Sequence, residues 1–155
     1  MTKKRKLLSI SLIIIIILLG TFLIISGVKV SKNTEKLVNE AYAVKGNYEL
    51  FQSNLSKYDF DVIAAASIGS TEKINDDFIW QYDIDYIHTI PWGFGAVTYV
   101  SDTCEILYPD GTVYGGYSNR HIRLKWSVKN GRYEVTDVYE YVKPDIICFI
   151  FDIIS

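Results

Sequence analysis

The sequence has two cysteines, three prolines and, after its first six residues, a shortage of positive charge. Two cysteines cannot staple a disulfide-built scaffold or fill a four-cysteine zinc site. The 16 basic and 18 acidic residues give a net charge of −2, but Lys3, Lys4, Arg5 and Lys6 hold four of the cations. The remainder carries 12 basic against 18 acidic residues, a net of −6. A nucleic-acid partner requires a basic footprint, so this balance excludes that class. H-E-x-x-H, Walker, G-x-S-x-G and C-x-x-C patterns are all missing, and no cofactor or metal is implied. What the chain does have is apolar: 49% hydrophobic residues and 12 tyrosines in 155 residues suit one folded domain rather than a disordered tail.

From Leu7 to Val28 no residue is charged. At about 1.5 Å per residue, that run reaches roughly 33 Å as a helix, enough to cross a hydrocarbon core. The basic cluster immediately before it sets the orientation, because positive flanks stay in the cytoplasm. Residues 1–6 are therefore read as a cytoplasmic tail, 7–28 as a signal-anchor in the lipid bilayer, and 29–155 as an extracytoplasmic domain. The chain is thus expected in the cell membrane as a single-pass protein. A cleaved signal peptide is the rival reading. Its apolar core is usually about 7–15 residues long, and only Ile25-Ser26-Gly27 offers a tolerable cleavage pattern.

The outer region reads as α+β, two or three helices packed on a curved antiparallel sheet. Leu37, Val38, Ala41 and Val44 recur at helical spacing, with Gly46 as a stop, and Tyr48, Phe51 and Leu55 repeat that spacing over 48–57. The stretch Asp61 to Ala66 suits a short helix or a buried strand, and 69–77 reads as a loop. Phe78 to His88 alternates as a strand, with Trp80, Tyr82, Ile84 and Tyr86 on one face and Gln81, Asp83 and Asp85 on the other. A break at Pro91-Trp92-Gly93 leads to a strand from Ala96 to Tyr108. Tyr108-Pro109-Asp110-Gly111 then suits a type I turn, and Gly115-Gly116 marks a bulge or bend. In the hairpin Ile122 to Tyr141, Asn130-Gly131 predicts a type I′ turn that sets Val128 opposite Tyr133 and Trp126 opposite Val135.

Four residues are candidates for ligand binding: Asp83, Asp85, His88 and Tyr99. Asp83 and Asp85, two apart, share a strand face where carboxylates could grip a cation, but the oxygen-rich loop that arranges one is missing. The tyrosines from Tyr82 to Tyr141 offer apolar bodies with polar tips, as pocket walls or as ordinary strand residues. Cys104, between His88 and Arg120-His121, has the makings of an activated thiol, though a lone strand cysteine is ordinarily a buried small hydrophobe. Thr103-Cys104 is similar to the end of the sortase motif, but Val100, Ser101 and Asp102 fill the places before it, and that reading is not adopted. Outside the cytoplasm Cys104 and Cys148 are candidates for a disulfide.

The element order, with the closing segment Leu124-Lys125-Trp126-Ser127-Val128-Lys129-Asn130-Gly131-Arg132-Tyr133-Glu134-Val135-Thr136-Asp137-Val138, resembles the cystatin-like or NTF2-like small envelope domains. The resemblance implies a sheet wrapped against an N-terminal helix, and it assigns no chemistry, because such folds serve enzymes, binders and assembly parts. The expected function is non-catalytic binding of an envelope protein partner or ligand. The alternatives are an enzyme or ligand-binding protein using the concave sheet face with Asp83, His88 and the tyrosines, or an assembly component of a secretion or conjugation machine.

Overall fold

A computed structural model describes residues 3–64 and 78–141, with side chains from Ser9 onward. Its elements are α1 (Lys3–Ala43), a single 3-10 turn (Tyr48–Leu50), α2 (Lys57–Ile63) and four strands, β1 (Ile79–Pro91), β2 (Gly95–Leu107), β3 (Val113–Lys129) and β4 (Arg132–Glu140). The strands form one open antiparallel sheet in the order β1-β2-β3-β4.

α1 is one helix of 41 residues, so the apolar run and the first domain helix are the same element. Its two halves differ in surroundings. Over Ile10 to Ile25 the large apolar side chains other than Leu23 are more than half exposed, whereas Ser26, Val30, Thr34, Leu37, Val38, Ala41 and Tyr42 are buried. That stripe, stepping by three and four, packs on the sheet. The helix ends where Lys45 and Gly46 take positive φ values of 49° and 73°, Gly46 being the stop anticipated from sequence. By length and composition α1 can cross a membrane once, as an anchor or a signal.

Only α2 follows α1 as a helix among the described residues, which corrects the expectation of two or three separate helices. The spacing at Tyr48, Phe51 and Leu55 reflects an aromatic cluster instead. Phe51 and Phe60 pack with ring centres 4.8 Å apart, and the Tyr48 hydroxyl donates to the Leu55 carbonyl at 2.7 Å. Glu40 fixes the connecting chain by accepting the Ser53 hydroxyl and the amides of Gln52 and Ser53 at 2.6, 2.7 and 3.0 Å, and amides spent on a side chain are lost to a helix. Ser56 caps α2 by accepting the Asp59 amide at 3.1 Å. Of the stretch Asp61 to Ala66, residues 61–63 are helical and Ala64 is the C-cap. The predicted loop 69–77 and Cys148 lie outside the described residues.

The sheet carries four irregularities, of which only the one at Gly115-Gly116 was anticipated from sequence. In β1 the register slips between Ile84 and Tyr86, with Asp85 as the extra residue. Trp80, Tyr82 and Ile84 face α1, but Tyr86 is carried to the opposite face with His88, correcting the placement of all four together. In β3, Ser118 and Asn119 stand opposite the single Thr103, and Asn119 has φ 52°. Tyr114 is the extra residue near Gly115-Gly116, where a Cβ on Gly116 would collide with the Cys104 carbonyl oxygen. Thr136 is the fourth.

Both predicted turns are present. Gly111 donates to the Tyr108 carbonyl at 2.9 Å, and Asp110 accepts the Thr112 amide at 2.9 Å. Asn130 and Gly131 have φ 52° and 73°, and the register pairs Val128 with Tyr133 and Trp126 with Val135 as anticipated. A branched residue strains such a φ, so Gly131→Val should lower unfolding stability by about 1–3 kcal/mol. Gly131→Asn should cost much less, and denaturant melts of the two variants make the comparison.

Candidate functional site

The strand register divides the polar side chains between the two faces of the sheet. On β2, Ala96, Thr98, Val100, Asp102, Cys104 and Ile106 face the helices. On β3, Arg120, Ile122, Leu124 and Trp126 do so, and the bulge at Ser118-Asn119 adds Tyr117 to that side. A strand without the extra residue would put positions 117 and 120 on opposite faces.

At the centre of the helix-facing side Asp102 and Arg120 are cross-strand partners, fully buried and 6% exposed. Arg120 binds the carboxylate bidentately, Nε to Oδ1 at 3.0 Å and Nη2 to Oδ2 at 2.7 Å. Nη1 donates to the Val62 carbonyl at 2.7 Å, and Nη2 also donates to the Ile63 carbonyl at 2.6 Å. These carbonyls close α2, where a cation complements the helix dipole. From α1 the Tyr42 hydroxyl donates to Asp102 Oδ2 at 2.6 Å and meets the Tyr117 hydroxyl, whose ring stacks under the guanidinium at 4.4 Å. Tyr42 also stacks on Tyr82 at 4.4 Å between centres. The cluster thus joins α1, α2, β1, β2 and β3.

Burial pushes the Tyr42 and Tyr117 phenols well above their ordinary value, against the pull of the nearby Arg120 and with the Asp102 charge adding to the rise. Burial also pushes the Cys104 thiol up, to about 11. Cys104 is a free, buried thiol on the helix-facing side. His88 and His121, which pair with Tyr99 and Ser101, are on the other face, so neither imidazole can serve that thiol. Its surroundings favour the protonated form, the opposite of an activated nucleophile.

The four predicted ligand residues lie on the outer face. His88 and Tyr99 are direct cross-strand neighbours, His88 exposed and Tyr99 7% exposed. Asp83 is exposed opposite Thr103, and Asp85, in the bulge, accepts the Ser101 hydroxyl at 3.1 Å. Of the four, only His88 lines the larger cleft, an open groove of about 730 Å³ between α1 and β1. No group of three or more metal-ligating side chains occurs among the described residues. The outer face also holds a cluster unforeseen from sequence. The Tyr86 hydroxyl stands 3.4 Å from His121 Nδ1, and the Tyr141 ring lies 5.6 Å from both His121 and Tyr99.

The buried pair did leave a trace in the sequence. Asp102 falls in phase with Ala96 and Val100, and Arg120 with Ile122, Leu124 and Trp126, so each charge occupies an apolar position of its strand. No family model, curated protein or solved structure matches the chain.

Every nitrogen of Arg120 donates within the protein, so the arrangement holds elements together. Arg120→Leu, which strands Asp102, should cost about 3–5 kcal/mol, and adding Asp102→Leu should recover part of it. Tyr42→Phe should cost only about 1–2 kcal/mol. The raised phenols also set an alkaline limit. The unfolded chain releases these protons first, so stability is complete below about pH 10 and falls as pH rises beyond it. Tyr42→Phe should flatten that decline in melts followed against pH.

Proposed function

We propose that this is a single-pass membrane protein, its amino terminus in the cytoplasm and its outer domain of the cystatin-like or NTF2-like type, that binds a protein partner without catalysis. The observation that carries the reading is the continuity of α1. The helix able to span the bilayer is the helix whose far half, from Val30 to Tyr42, is buried against the sheet. A domain mounted this way presents its surfaces at a fixed height and angle over the membrane, which suits docking between envelope proteins. The Asp102–Arg120 cluster supports the non-catalytic half, because its charged groups are buried and bonded to one another and to the α2 carbonyls. The exposed aromatic and polar groups of the outer sheet face, Tyr86 and His88 among them, are the surface for contact.

The test is site-directed photocrosslinking from position Tyr86 in the full-length protein, in membranes of the cells that make it. A discrete protein adduct at the outer face is the expected result. Its absence, with the protein intact in the membrane, counts against partner binding at that face. Protease attack from the outside alone is the expected companion result for orientation.

A further inference from the structure

One end of the sheet lies beside the apolar run of α1. A Cβ on Gly27 would sit 3.4 Å from Pro91 Cγ, and Ser26 is buried at 6% exposure, although both positions belong to the charge-free stretch 7–28. The domain therefore has no stalk, and the last residues of β1 stand level with the last turns of the apolar segment. Just past Pro91 the chain turns back through Trp92, Gly93 and Phe94, closed by the Trp92 amide donating to the Gly95 carbonyl at 3.0 Å. At this turn Phe94 is 86% exposed, more than any other large hydrophobic side chain described.

The turn is built rather than loose. Trp92 lies over Gly95, where a Cβ would come within 2.8 Å of the indole ring. Val128 donates its amide to the Phe94 carbonyl at 2.9 Å, and the Tyr133 hydroxyl reaches the Gly93 carbonyl at 3.4 Å. These bonds set the neighbouring β3–β4 turn, with exposed Lys129 and Arg132, beside Phe94. On α1 the first charges after the apolar run are Lys29 and Lys32, both exposed. The turn at the far end of the sheet, residues 108–112, holds Asp110 and no cation.

We propose that these two turns are a second membrane contact. Phe94 enters the boundary between headgroups and acyl chains, and Lys29, Lys32, Lys129 and Arg132 meet anionic phospholipid headgroups around it. Aromatic rings concentrate at that depth, and cations near the surface are drawn to anionic lipid. A single span leaves a domain free to tilt, whereas a second point of contact fixes its inclination. The inference rests on residues 7–28 crossing the bilayer.

The experiment places a nitroxide at Phe94→Cys, Asp110→Cys or Ile16→Cys, each with Cys148→Ser, in the full-length chain. Each is reconstituted in nanodiscs of phosphatidylcholine and phosphatidylglycerol. Depth is read from the ratio of collisions with oxygen to collisions with a water-soluble nickel chelate. The Phe94 label is expected to give a ratio several-fold above that of the Asp110 label and to approach that at Ile16. It should fall toward the aqueous value when phosphatidylglycerol is left out. A watery Phe94 label with Ile16 still in lipid overturns the second contact and leaves the span standing. A watery Ile16 label overturns the span and this inference together. A Phe94 ratio indifferent to phosphatidylglycerol overturns the headgroup contact.

Discussion

The buried pair of Asp102 and Arg120 is the constraint on which the domain depends. Moving each charge out of water costs several kcal/mol, and attraction offsets this only when geometry is good and the remaining donors are filled. The geometry is good here, and each nitrogen of the guanidinium has a partner. The guanidinium grips the carboxylate at two points, and its remaining bonds go to two carbonyls and a phenol. The carbonyls belong to a helix of seven residues, too short to stand without tertiary support. The same cation that balances Asp102 therefore also closes α2. Asp59 at the other end of α2 accepts the Val138 amide at 3.2 Å, so the helix is held to the sheet at both ends.

Tyr42 carries this constraint to the apolar half of α1. It lies one residue before the end of α1, and its hydroxyl fixes the rotation of that helix about its axis relative to β2 and β3. Further down, Ser31 donates to Thr89 at 2.7 Å, and Gly27 lies against Pro91. Because α1 has no break, an orientation set at Tyr42 is transmitted to the apolar half about 1.5 Å per residue away. A Cβ at position 27 would lie 3.4 Å from Pro91 Cγ, in ordinary van der Waals contact, which marks how near helix and sheet approach there.

Much of this architecture was legible in the residues, and what was not has a common cause. The apolar run, the Gly46 stop, the turn at Tyr108 to Gly111 and the hairpin register at Asn130-Gly131 follow from local chemistry that the tertiary fold does not override. The faces of the longer strands were harder, since period-two reading fails wherever a residue is inserted. Asp85 moved Tyr86 across the sheet, and Asn119 brought Tyr117 onto the same side as Arg120. Neither bulge has a glycine to mark it. The pairing of Asp102 with Arg120 depends on that second bulge and on a separation of 18 residues, so no short window could display it. The spacing of Tyr48, Phe51 and Leu55 misled for another reason. Glu40, distant in sequence, took the amides a helix would have used.

The division of polar groups also bears on what kind of work the domain can do. A reactive centre needs a group with unfilled bonding capacity in a place that water does not dominate. At the centre of the helix-facing side Asp102 and Arg120 are buried, but each nitrogen of Arg120 already donates within the protein, and Cys104 is pushed away from the thiolate. Toward the outer face the capacity remains, but Asp83 and His88 are exposed and separated along β1 by the Asp85 bulge. Binding makes different demands, namely exposed aromatic and polar surface on a rigid frame. On the proposed reading the frame is the buried pair, and the surface is Tyr86, His88 and the turn at Phe94. On that reading, what such a surface requires of its frame is orientation, and the bonds of Arg120 to Asp102 and to the two α2 carbonyls supply it.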